Sequence, residues 1–192
     1  MAFRKRLSVD IKRGAFNNTS WLNAQTDGII IAGRTAYMWK GAPPSDGSLI
    51  IPNGVTHISD YAFIRNELTS VIIPDSVTKI GEEAFHMNQL TNVTIGNNVT
   101  YIGENAFRMN QLTSLTIPDS VTHIGRGAFE SNQLTSVIIG NSVTYIGIVA
   151  FAGNQLTSVT LPDSVTEIDA QTFNGNLLDE ATEARIRELQ GR

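Results

Sequence analysis

The sequence predicts a repeat solenoid. Its coils would place a parallel β-sheet of short strands on one side and turns and short helical turns on the other, with a capping helix at the C-terminus. Three columns of residues carry that prediction. Phe63, Phe85, Phe107, Phe129, Phe151 and Phe173 stand 22 residues apart. The same period runs through Leu68, Leu90, Leu112, Leu134, Leu156 and Leu178, and through Ile58, Ile80, Ile102, Ile124, Ile146 and Ile168. A constant period of this length means one structural unit stacked on copies of itself, because a single unit cannot bury its own apolar face.

Composition narrows the class. Of the 192 residues, 41% are hydrophobic and 17% charged, which argues against a disordered chain. The apolar runs are short, such as Gly28-Ile29-Ile30-Ile31-Ala32. A membrane-spanning helix needs about 20 apolar residues, so no membrane insertion is expected. There is no cysteine, which excludes disulfides, thiolate metal sites and cysteine catalysis. The opening Met-Ala-Phe-Arg-Lys-Arg is basic but has no apolar stretch after it, so it does not read as a signal peptide.

Charge is unevenly spread. Residues 1–45 carry seven Lys/Arg against two Asp, a balance of +5, and residues 46–177 carry four basic against twelve acidic, a balance of −8. This reads as a solvated surface, or as a basic end that meets an acidic partner or the acidic flank of a neighbouring copy; no nucleic-acid partner is expected.

Residues 1–47 break the period and read as an irregular cap. Ile11-Lys12-Arg13-Gly14-Ala15-Phe16 echoes Ile124-Gly125-Arg126-Gly127-Ala128-Phe129, as a degenerate coil or the remnant of a longer array. Two apolar runs flanking Gly33-Arg34 predict a hairpin, and Ala42-Pro43-Pro44-Ser45-Asp46-Gly47 predicts a loop. In a second reading, Trp21, Tyr37 and Trp39 form an aromatic binding patch.

Residues 48–177 form the array, with residues 68–89 as a typical coil. Val71 and Ile73 alternate with Ser70, Ile72 and Pro74, the period-2 mark of a short strand. Pro74-Asp75-Ser76 turns the chain. Val77 and Ile80 lead inward, Gly81 offers a position for positive φ, and one helical turn ends in Ala84-Phe85. Asn88 suits a left-handed helix cap. The turn residue alternates Pro74, Gly96, Pro118, Gly140, Pro162, as if a two-coil block had been duplicated. Residues 178–192 predict a capping helix. Asp179 is its N-cap, Glu183 and Arg187 sit four apart, and Leu178, Ile186 and Leu189 make its apolar side.

The pattern Leu-Thr-Ser-Val-x-Ile-Pro-Asp-Ser-Val-Thr-x-Ile-Gly-x-x-Ala-Phe resembles the BspA-like class of bacterial leucine-rich repeats. Its last part stands as Ile80-Gly81-Glu82-Glu83-Ala84-Phe85 and as Ile102-Gly103-Glu104-Asn105-Ala106-Phe107. The resemblance covers roughly residues 48–177. It implies a curved solenoid serving as a protein-binding or adhesive surface, often on the bacterial cell, with no shared catalytic residues. Asn88, Asn110, Asn132 and Asn154 replace a cysteine found in some members. The export signal of surface members is missing, so the resemblance points to the cell surface or secretion while the chain itself allows a cytoplasmic location.

Two surfaces are candidates for recognition. The first is the chemically varied column His57, Lys79, Tyr101, His123, Tyr145, Glu167. The second is the outward face of the strands: Ser70, Ile72, Asn92, Thr94, Ser114, Thr116, Ser136, Ile138, Ser158 and Thr160. Metal and cofactor readings fail on distance. His57 and His123 lie three coils apart, about 14 Å at the strand spacing, and one ion binds imidazole at about 2 Å. Asp75, Asp119 and Asp163 recur every second coil and are explained as turn residues. No nucleophile elbow, phosphate loop or zinc-binding helix motif occurs. The expected function is non-catalytic: an interaction module holding a protein partner. The alternatives are a structural spacer within a larger surface protein, and an enzyme on a parallel β-helix acting on polysaccharide.

Overall fold

The computed structural model describes residues 16, 18–169 and 171–191. Apart from Phe16, the echo at residues 11–16 lies outside them. A short helix α1 (Ser20–Asn23) is capped by the Thr19 hydroxyl, which accepts from the Leu22 amide at 3.2 Å. Strands β1 (Gly28–Ala32) and β2 (Thr35–Lys40) pair antiparallel, with an irregularity between Ile30 and Ile31. The coils then contribute two strands each: β3 (Ser48–Ile50) and β4 (His57–Ile58), β5 (Ser70–Ile72) and β6 (Lys79–Ile80), β7 (Asn92–Thr94) and β8 (Tyr101–Ile102). They continue with β9 (Ser114–Thr116) and β10 (His123–Ile124), then β11 (Ser136–Ile138) and β12 (Tyr145–Ile146). The last coil supplies β13 (Glu167–Ile168) and runs into helix α2 (Glu180–Gln190).

Every coil but the last therefore has two strand faces, not one. The sheet expected over Leu-x-x-Val-x-Ile is present as parallel pairs β3-β5-β7 and β9-β11. A second and longer sheet lies on the His57–Glu167 column, ordered β1-β2-β4-β6-β8-β10-β12-β13. The seven inward positions of the unit, Leu68, Val71, Ile73, Val77, Ile80, Ala84 and Phe85, are all 1% exposed or less. The phenylalanine rings stack face to face at 5.1–5.4 Å between centroids, from Phe63 to Phe173.

The third side of each coil is a turn held by its neighbour. The amides of Glu83, Phe85 and Met87 donate to the carbonyls of Glu104, Ala106 and Arg108 in the next coil, at 2.8, 2.8 and 3.0 Å. Here two expectations need correction. Gly81 does not have positive φ; Glu83 does, at 49°, as do Asn105, Gly127, Val149 and Gln171 in the same column. Val149 is β-branched, so its φ of 52° costs about 1–2 kcal/mol. Glycine at position 81 and its equivalents answers a different need. A Cβ on Gly103 would stand 2.5 Å from the Gly81 carbonyl carbon and 2.7 Å from the Glu82 nitrogen. Gly103→Ala is therefore expected to lower stability by about 3 kcal/mol, by forcing backbone against backbone. Urea unfolding measures this; an unchanged midpoint would show that the coils can separate at little cost.

The second correction concerns Asn88. The left-handed residue is Met87, at φ 55°, and Asn88 turns its side chain into the core instead. Its Oδ1 accepts from the amides of Asn66 and Leu68 at 3.0 and 3.1 Å, and its Nδ2 donates to the carbonyls of Phe63 and Phe85 at 2.8 and 3.0 Å. Asn110, Asn132 and Asn154 repeat this arrangement and are buried. The asparagine column thus satisfies backbone groups of two coils at once, where leaving them unpaired in an apolar core would be costly.

The Pro/Gly alternation has a packing reason. A Cβ on Gly96 would lie 2.5 Å from the Pro74 carbonyl carbon, and one on Gly140 would lie 2.3 Å from the Pro118 oxygen. The glycine coil thus settles tightly on the proline coil before it. Asp75 and Asp119 tie the same pairs, accepting from the amides of Asn97 and Asn141 at 2.6 and 2.8 Å. On this face the amides of Ile73 and Ile117 bond across a pair to Thr94 and Ile138, both at 2.9 Å. The strand ladder is interrupted between β7 and β9, where one pair meets the next. From β5 to β11 the coils of this face are joined in twos, and β3 adds a third strand to the first pair.

Helix α2 covers the last coil. Asp179 caps it, accepting from the Thr182 amide at 2.8 Å, and the bonds from Thr182 hold its carboxyl below the usual range. Leu189 is buried, and Leu178 and Ile186 pack against the core. The Asp179 amide and the Thr182 hydroxyl close the exposed edge, bonding the Thr157 carbonyl at 2.8 Å and the Val159 amide at 3.2 Å. Among the described residues no helix is long and apolar enough to cross a membrane.

Candidate interaction surface

The varied column sits on the long parallel sheet, and strand register brings its members side by side. His57 pairs with Lys79, Lys79 with Tyr101, Tyr101 with His123, His123 with Tyr145, and Tyr145 with Glu167. The side chains of Lys79, Tyr101, His123 and Tyr145 meet. Lys79 Nζ lies 5.7 Å from the centre of the Tyr101 ring, within cation–π range. The Tyr101 and His123 rings are 6.5 Å apart and the His123 and Tyr145 rings 6.1 Å apart. Tyr101, His123 and Glu167 are exposed, and His57, Lys79 and Tyr145 partly so. The result is one continuous row, cationic at Lys79, aromatic in the middle and anionic at Glu167.

Two sets of supporting residues were not singled out from the sequence. Thr56, Thr78, Thr100, Thr122, Thr144 and Thr166 precede each member of the row. The hydroxyls of Thr78, Thr100, Thr122 and Thr144 each donate to the carbonyl of the preceding threonine at 3.1 Å. This ladder fixes the backbone from which the row projects, and its signal was the 22-residue period itself. The other is Asp169, which stands where earlier coils have Gly81, Gly103, Gly125 and Gly147. Tyr145 donates to Asp169 Oδ2 at 2.7 Å, and this bond pushes its hydroxyl pKa up to about 12. Tyr145 therefore presents a neutral, oriented ring throughout the physiological range.

The second candidate face is flatter. Ser70 and Ile72, Asn92 and Thr94, Ser114 and Thr116, and Ser136 and Ile138 occupy β5, β7, β9 and β11, while Ser158 and Thr160 lie in the last coil outside any strand. Only Ser70 is partly covered. The face is neutral, and Ile72 and Ile138 are its largest exposed side chains at 45% and 65%. The aromatic patch of the N-terminal segment does not form as one surface. Tyr37 is buried with its ring edge-on to Phe16 at 5.2 Å, and Trp39 packs against the core with its indole N–H on the Ala42 carbonyl at 2.8 Å.

His86 lies apart from the row, on the turn side. It is buried, and its Nδ1 has no hydrogen-bond partner. Burial holds its imidazole below the ordinary histidine range, with Arg108 and Arg65 pushing the same way against Glu83. The unfolded chain thus binds this proton more readily than the folded one. The sign follows: stability is full above about pH 6.5, the unfolded value, and falls as pH drops toward the lower folded value. His86→Gln is expected to flatten this acid-side slope, as measured by urea midpoints from pH 7 down to pH 5.

No curated protein shows significant sequence similarity to the chain. Among solved structures, it is similar to a leucine rich cell surface protein from Faecalibacterium prausnitzii. Identity there is 30% over 79% of this chain and 52% of that one, with a TM-score of 0.55. The pneumococcal vaccine antigen PcpA shares the fold at 23% identity and a TM-score of 0.59, over 79% of this chain and 44% of that one. A leucine-rich repeat protein from Eubacterium ventriosum does so at 20% identity and a TM-score of 0.60, over 77% and 47%. The chain thus spans about half the length of these proteins. The sequence profile of the BspA type leucine rich repeat region matches residues 48–180 in six copies. Six stacked 22-residue coils, their buried phenylalanine column and that match place the chain among the leucine-rich repeat proteins of BspA type, the family to which it belongs.

Proposed function

We propose that the chain is a non-catalytic module that holds a protein partner on the His57–Glu167 row. The observation that carries this reading is the row itself: Lys79, Tyr101, His123 and Tyr145 in contact along one regular sheet, continued in register by His57 and Glu167. Tyrosines such as Tyr101 and Tyr145 anchor interfaces more often than small hydroxyls do. The row runs about 24 Å from first to last coil at the strand spacing, enough for a standard interface of about 800 Å² per partner. The cell-surface description of the Faecalibacterium protein favours an adhesive setting for such a partner.

The test is a chain in which Lys79, Tyr101, His123 and Tyr145 are all replaced by Ser, set beside one carrying Ile72→Ser and Ile138→Ser. The first is expected to bind the captured partner at least tenfold more weakly, about 1.4 kcal/mol, and the second to bind it unchanged. The opposite pattern would move recognition to the flat strand face. Equal binding by both variants would place recognition on neither face.

A further inference from the structure

Resting on the reading of the row as an interaction surface, we propose that Thr122 is a positioning residue. It locks His123 with its proton on Nδ1, so that Nε2 faces outward as an acceptor for a Lys or Arg side chain of a basic protein partner.

A threonine hydroxyl has one hydrogen to donate. Thr122 Oγ1 donates it to the Thr100 carbonyl at 3.1 Å. The same bond, at the same 3.1 Å, is made by Thr78, Thr100 and Thr144, whose following residues are Lys79, Tyr101 and Tyr145. The stacking of coils, not the histidine, therefore commits that hydrogen. Thr122 Oγ1 also meets His123 Nδ1 at 2.9 Å. With its hydrogen already placed, the oxygen must accept and Nδ1 must donate. A neutral imidazole carries a single N–H, so Nε2 keeps its lone pair. His57 repeats the arrangement: Thr56 Oγ1 donates to the Arg34 carbonyl at 3.3 Å and meets His57 Nδ1 at 2.9 Å.

Charge selects the partner group. From His123 toward the C-terminal coil the row offers the Nε2 acceptor, then Glu167, with Asp169 behind Tyr145. Residues 46–177 carry a balance of −8. Acceptors backed by net negative charge fit an ammonium or guanidinium, which are donors only.

The tautomer can be read without any partner. Long-range 1H–15N correlation of the imidazoles is recorded at about pH 8, above the ordinary histidine range. His123 is expected to show a protonated Nδ1 and a bare Nε2, and Thr122→Val to shift it toward the Nε2–H form. A wild-type His123 protonated on Nε2 would overturn the assignment. Titration with a tetralysine peptide at low ionic strength is the second arm. It should move the His123 Nε2 resonance saturably, and at least fivefold more weakly in Thr122→Val and in Glu167→Gln. Tetraglutamate should leave it in place. A tetralysine titration that leaves His123 unmoved would overturn the partner class. Neither arm depends on the serine-replacement comparison, so failure of the row as a binding surface is scored separately.

Discussion

Truncating Phe107 to alanine is expected to cost about 3–5 kcal/mol of stability. Its ring is fully buried and sandwiched between Phe85, at 5.1 Å and 8° between planes, and Phe129, at 5.3 Å and 1°. Both neighbours are held in place by their own coils, so the cavity cannot close by collapse. The loss therefore includes the transfer of the ring from water and the empty volume left behind. Phe173 offers an internal comparison. It stacks on one side only, on Phe151, and is 6% exposed, so the same truncation there should cost less. Urea unfolding of both variants tests the ordering. A loss under 1 kcal/mol at Phe107 would refute the column as the main support of the core.

Replacing Asn110 by alanine is expected to cost about 1–3 kcal/mol, for a different reason. The change removes little apolar contact. It strands the Leu90 amide, bonded at 3.0 Å, whereas the carbonyls of Phe85 and Phe107, each bonded at 3.0 Å, keep their bonds from Asn88 and Asn132. Each buried backbone group left without a partner costs about 1–3 kcal/mol. The readout that separates this from a cavity effect is amide exchange. Leu90 should lose protection in Asn110→Ala and keep it in a stability-matched core truncation. If Leu90 stays protected, another group or a water has replaced the side chain. Asn176 is the comparison here: it makes the equivalent bonds to Leu156, Phe151 and Phe173 but is only partly buried, so water can substitute there.

These two predictions differ in how readable they were. The phenylalanines announced their burial by identity and period, since a repeated large apolar residue has one place to go. The asparagines kept the same period but were assigned to a local cap, because asparagine tolerates positive φ. Their actual partners, such as Leu90 for Asn110, lie 20 residues away in sequence and one coil away in space. Gly81 is another such case. Its lack of a side chain looked like a need for local freedom, whereas the constraint is the Ser59-Asp60 backbone of the coil before it. The positive φ falls instead on Glu83, Asn105, Gly127, Val149 and Gln171, and that mixture of residue types carries no local mark. The second sheet was also hidden, because two-residue strands are too short for an alternating pattern to show.

The sequence by itself determined the solenoid, its period, the identity of the core and the composition of the His57–Glu167 row. All of these follow from which residues recur every 22 positions. The tertiary structure decided what the recurring residues do for one another. Stacking put Lys79, Tyr101, His123 and Tyr145 in contact, set each threonine hydroxyl on the coil before it and turned the asparagines inward. A period records that two residues share a column. Only the close approach of one coil to the next, which leaves no room for a Cβ at Gly96 or Gly103, settles which atoms in that column meet.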